Sequence, residues 1–185
     1  MDLIGLIQLI KMPATIIHVF SVVFGMGAAL VSDVLFSFYG KDKKLNWTEI
    51  KTLSILKDIV FYSLILISAS GIILYLSDIT KYSNSDKFLA KMSILLVLLL
   101  NGLVLNRYIW PRLLKRDFFT SQKERIVRKL SFICGSISVV SWLSVCALGV
   151  LDRLPIDYCT IIAIYTIVTI FGMIVSVIVE KRELN

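Results

Sequence analysis

Five stretches of the chain read as unbroken apolar runs bounded by clusters of charge: Pro13 to about Tyr39, Asp58 to Leu76, Phe88 to Pro111, Leu130 to Leu151 and Tyr158 to Val179. Each has roughly 20 residues or more, the length a helix rising about 1.5 Å per residue needs to cross about 30 Å of hydrocarbon. The period-two alternation of a membrane β-barrel is absent, and runs such as Ile94 to Leu100 suit helices, whose backbone hydrogen bonds are satisfied internally. The pattern predicts an all-α integral membrane protein, a five-transmembrane-helix bundle forming a single membrane domain over residues 1–185. Between the runs, the segments around Gly40 to Lys57 and Arg112 to Lys129 are too short to bury a core of their own. Leu45 to Lys57 places Trp47, Ile50, Leu53 and Ile55 among lysines, which predicts an amphipathic cytoplasmic helix at the interface, capped by Asn46 or Thr48. Ahead of Pro13, Asp2, Gly5, Gln8 and Lys11 recur every third residue, predicting either a short interfacial helix or an early turn of the first span. Asp2 and the lone Lys11 argue against a cleaved signal peptide there.

Composition agrees with the pattern: 57% of residues are hydrophobic and the mean hydropathy is +0.85, beyond the range of ordinary soluble domains. The net charge of +7 raises the question of nucleic acid, and the distribution of that charge answers it. Lys41, Lys43, Lys44, Lys51 and Lys57 follow span one, Arg112 to Lys129 holds seven basic residues after span three, and Lys181 and Arg182 follow span five. The opposite side has only Lys11, Lys81, Lys87 and Arg153. The positive-inside rule then puts the amino terminus outside and the carboxyl terminus in the cytoplasm, with anionic lipid head groups rather than nucleic acid as partners of the basic face. Cys134, Cys146 and Cys159 fall within or at the ends of spans and suit packing, not a disulfide framework. No Gly-rich phosphate loop, CxxC pair or HExxH is present, which removes the usual signatures of nucleotide hydrolysis and zinc chemistry.

The single histidine, His18, lies inside the first run, and a titratable group in a span is a functional-site candidate by default. At 100° per residue, His18, Ser21, Gly25, Ala29, Ser32 and Asp33 share an arc of roughly 120°, a small and polar stripe that should face other helices. Similar stripes run through Ser63, Ser70 and Ser77, through Ser131, Gly135, Ser138, Trp142 and Gly149, and through Tyr165, Thr169, Gly172 and Ser176. Asp33 and Arg107 both lie near the cytoplasmic end and are expected to form a structural ion pair. Lys91 opens span three, on a face with Leu98, Gly102 and Asn106, and either snorkels to the interface or turns inward. His18 sits about 7 Å below Pro13, at a depth similar to that of Lys91, so the two converge if spans one and three are neighbours. Met12, Met92, Cys146 and Cys159 lie toward the same side and would suit Cu(I) if they turned inward; core packing is the competing role.

Ile17-His18-Val19 followed by Gly25-Met26-Gly27 resembles the opening helix of the CopD-like copper-resistance domain and of HemJ-type protoporphyrinogen oxidases. Ser70-Gly71-Ile72, then Lys91-Met92, then Asn106-Arg107-Tyr108-Ile109-Trp110-Pro111 follow the same order, with an N-R-x-x-x-P ending to the third helix. The resemblance covers spans one to three. It implies that His18 and Lys91 are the functional pair, associated with haem b or with copper at His18, in a bacterial inner membrane. Three readings follow: a multi-pass membrane protein that binds haem or copper at His18 and Lys91 for redox or metal handling; a porphyrinogen oxidase of the HemJ type; and a non-catalytic scaffold or accessory subunit, as a homo-oligomer or with another protein, in which His18 serves packing alone.

Overall fold

The computed structural model describes residues 3–40, 44–114, 118–151 and 155–184. Its elements are helical throughout: α1 (Leu3–Gly40), α2 (Trp47–Ser77), the short α3 (Ile79–Ser83), α4 (Asp86–Val104), a π-helical turn (Leu105–Ile109), α5 (Trp110–Leu113), a 3-10 turn (Gln122–Glu124), α6 (Arg125–Val150) and α7 (Tyr158–Leu184). Five helices are long and apolar enough to cross a membrane, over Gln8–Gly40, Trp47–Ser77, Asp86–Leu113, Gln122–Val150 and Tyr158–Arg182. The chain is a multi-pass membrane protein of five helices, and no strand occurs among the described residues. Lys41, Lys43, Lys115, Arg116 and Arg153, read above as topology markers, lie outside those residues, as does Asp2.

Two segments read as separate pieces are continuous with spans. α1 runs straight through Pro13, so the early-turn alternative holds and there is no separate helix before it. The segment expected to lie flat at the interface forms the first turns of α2, with Asn46 as N-cap; its backbone N–H donates to Glu49 Oε2 at 2.7 Å. That contact satisfies a group the helix start would otherwise leave bare. At the other end of the bundle, Asp157 caps α7, accepting from Thr160 Oγ1 at 2.6 Å and from Thr160 N at 3.2 Å. The Thr160 side chain, then its backbone N–H, hold the Asp157 carboxyl below its ordinary value. A depressed pKa means the cap is complete above the unfolded carboxyl's value of about 4 and is lost as pH falls through the folded one. Acidification, or Asp157→Ala at neutral pH, is therefore expected to speed amide exchange over Tyr158 to Ile161 while leaving α6 unchanged.

Inside lipid the helices are joined by small residues and by hydroxyls rather than by a hydrophobic drive. α1 packs chiefly on α2, α6 packs on α4 and α7, and the two groups meet where α1 crosses α6. Ser21, Gly25 and Ala29 on α1, Ser63 and Ser70 on α2, and Ser131, Gly135, Ser138 and Trp142 on α6 are all buried, as the stripes predict. Gly149 departs from its stripe and is exposed. The closest approach is at Gly25, where an added Cβ would lie 2.6 Å from Trp142 Cη2 and 2.8 Å from Ser63 Cβ. Asn101 Nδ2 donates to the Cys134 carbonyl at 2.9 Å and ties α4 to α6; Ser141 Oγ and Tyr165 Oη, 2.8 Å apart, tie α6 to α7. The end bearing the α1–α2 connection is closed by an aromatic plug in which Phe36 meets Phe119 and Phe132 at ring-centroid distances of 5.7 and 5.5 Å.

Candidate functional site

His18 is half-buried on the α2 side of α1, with its Nδ1 3.0 Å from Ser70 Oγ and Gly71 beside its ring. Ser70 has a single hydroxyl proton, and that proton is directed at the Leu66 carbonyl 2.5 Å away, with the Ile67 carbonyl at 3.2 Å. Ser70 Oγ can then only accept from the imidazole. His18 Nδ1 is the donor, and the lone pair of its neutral ring resides on Nε2. An imidazole whose Nδ1–H is held by an oxygen, with Nε2 left basic, is the arrangement that orients a histidine for a metal.

Lys91 is half-buried on α4. Its helix does not pack closely on α1, whose main neighbours are α2 and α6. The sulfur residues do not gather at this point. Met12 is 75% exposed and Met92 47% exposed. Cys159 is exposed, and Cys146 is only half-buried. No group of three or more His, Cys, Asp or Glu side chains that could hold a metal ion occurs among the described residues.

The expected Asp33–Arg107 ion pair is not formed. Asp33 turns toward α6, where an added Cβ on Gly135 would lie 2.9 Å from its Oδ1, and its buried Oδ2 has no hydrogen-bond partner. Arg107 sits in the π-helical turn, which sets Asn106 and Ile109 toward the interior and leaves Arg107 and Tyr108 exposed. The acidic group expected to be locked instead borders a cavity of about 560 Å³ between α1, α2, α4 and α6, shared with Lys57, Asn106 and Trp110. Lys57 pairs with Asp58 at 3.0 Å and lies over the Trp110 ring at 5.1 Å.

Two features carry no signal in a single helix pattern. One is the cavity, which arises where α2 and α4 fail to pack closely. The other is Arg128, buried among the basic residues read as lipid-facing, whose Nη1 donates to the Phe118 and Ser121 carbonyls at 2.8 Å each. No protein-family model, curated protein or solved structure matches this chain.

Proposed function

We propose that this membrane protein binds haem at His18, with Lys91 as the neighbouring polar group, in the manner implied by the resemblance of spans one to three to the CopD-like and HemJ-type proteins. The observation that carries the reading is the Ser70 contact, 3.0 Å from His18 Nδ1, which orients the ring. Haem iron is ordinarily held by an axial imidazole and needs only one, which a single histidine can supply. A sulfur-rich copper site is the poorer fit, because Met12 and Met92 face outward. When bound, the group would supply one-electron chemistry; Ser70 fixes the imidazole, and Lys91 places a cation or, deprotonated, a second nitrogen beside it. The charge asymmetry supports an inner membrane, with Lys44, Lys51, Lys123 and Lys129 on the cytoplasmic side against anionic lipid and the amino terminus outside.

The test is the visible spectrum and metal content of protein purified in mild detergent, before and after reconstitution with haem or Cu(I). A Soret band is expected that disappears in His18→Ala. Ser70→Ala should weaken haem affinity by about 10- to 100-fold, the usual cost of losing the group that orients a ligating histidine. The same hydrogen bond also supports a second reading, a scaffold in which His18 and Ser70 simply join α1 to α2. That reading predicts a colourless, metal-free wild type in every condition, and a loss of about 0.6–1.7 kcal/mol in stability for His18→Ala.

A further inference from the structure

We infer that the cavity between α1, α2, α4 and α6 is a binding site for a lipophilic amine that enters from the bilayer between α2 and α4, with Asp33 receiving its ammonium group. This inference is independent of His18, which does not line the cavity.

The volume of about 560 Å³ lies within the range of drug-sized ligand pockets, and the walls are mostly aliphatic and aromatic. Its polar lining holds donors, among them Lys57, Asn106 and Trp110, as well as acceptors. Ser68 and Ser131 both line it, and each directs its hydroxyl proton to a carbonyl of its own helix, Leu64 and Val127 respectively, at 2.8 Å. Their oxygens therefore offer lone pairs to a guest. Asp33 adds a carboxyl whose buried Oδ2 has no partner. The Asp33 side chain also lines the cavity, and no cation among the described residues pairs with it there, so a donor head has a carboxyl to meet.

Charge points the same way. Lys57, the cation among the lining residues, already has Asp58 at 3.0 Å and the Trp110 ring beneath it. Lys57 and Asp58 offset one another, so Asp33 is the lining carboxyl with no cation paired to it. An ammonium head on an apolar body complements the Asp33 carboxyl, and an anionic head set against it is repelled. α2 and α4 both border the cavity without close backbone approach, their side chains meeting in the cluster of Leu64, Ile67 and Leu98, and entry from the bilayer runs between them beyond that cluster.

A matched series with one tail and three heads separates the sources of affinity: dodecylamine, dodecanol and dodecanoate, added to the full chain in lipid nanodiscs. Trp110 lines the cavity and reports occupancy by its fluorescence, with Trp47→Phe removing the exposed indole. Dodecylamine is expected to bind saturably and more tightly than dodecanol, with dodecanoate weakest. Asp33→Asn should cost about tenfold or more for the amine, as loss of a charge-assisted contact does, and leave the alcohol unchanged. Gly102→Phe provides a second variant, since the nearest atom its Cβ would meet is Leu64 Cδ1 at 3.9 Å. It fills the cavity and should block all three probes with the circular-dichroism melt retained. Equal affinity for amine and alcohol would reduce the site to an apolar groove and overturn the proposal. So would tighter binding of dodecanoate, an amine affinity indifferent to Asp33→Asn, or no saturable binding. If either variant fails to fold, the ranking of the three heads on the wild type decides.

Discussion

Gly25→Ala is expected to destabilise the bundle by about 1–3 kcal/mol, the cost of forcing one carbon into a packed interior. The added Cβ would stand 2.6 Å from Trp142 Cη2 and 2.8 Å from Ser63 Cβ, and neither neighbour can retreat. Trp142 is 1% exposed and wedged where α1 crosses α6, and Ser63 is buried on α2. Relief requires α1 to move off both helices, which loosens a close junction between the two helix groups. Gly27, two residues on, has no heavy atom within 4 Å of an added Cβ. Gly27→Ala should therefore be neutral or stabilising by up to about 1 kcal/mol, since alanine restricts the unfolded chain and favours helix. Thermal melts of both variants in the same detergent check the contrast. A Gly25→Ala melt matching that of Gly27→Ala would show that the α1–α2–α6 contact is not tight.

Arg128→Met should lower stability by about 2–3 kcal/mol even though methionine is the more apolar residue. The guanidinium Nη1 donates to two carbonyls, and they do not lose equally when it is removed. Ser121 O still accepts from Glu124 N at 3.2 Å. Phe118 O would lose this donor beside a ring that is 1% exposed. Phe118 and Phe119 should then leave the plug, exposing Leu53, Ile109 and Leu113, which pack with them. Amide exchange over Phe118 to Ser121 in wild type, Arg128→Met and Arg128→Lys measures this. Lysine is expected to recover part of the protection, because it restores one donor without the planar fork.

The number and type of helices were legible in the sequence because apolar run length reports lipid thickness directly. Helix ends were not. Lys51, Lys57 and Asp58 mark where α2 leaves the apolar run, while its hydrogen bonds continue back to Trp47. The inward stripes were legible because period 3.6 is a property of one helix, and Ser21, Gly25 and Ala29 are buried accordingly. Depth was a poorer guide than phase. Met12 and Met92 stand at a useful height but are turned by more than a quarter of the helix circumference from His18 and Lys91 respectively, and both face outward. Asp33 and Arg107 were matched by height as well, and the π-helical turn, which no periodicity announces, leaves Arg107 outside. The Ser70 contact to His18 was not legible, because the α1–α2 register that sets Gly25 against Ser63, and by the same antiparallel count 18 against 70, exists only once the helices pack.

The way the helices are paired has a consequence for biogenesis. α1 rests on α2, and α6 on α7, so most of the large interfaces join helices that follow one another in the chain. Such interfaces can form as each hairpin enters the membrane, with little search and few long loops to close. The α1–α6 crossing is different, because its partners are separated by more than 100 positions, as Gly25 and Trp142 are. It must wait until four helices have been delivered. Small side chains at that crossing let a preformed hairpin slide into place against Trp142 without first unpacking, so the slowest step of assembly falls on the surface with the least to rearrange.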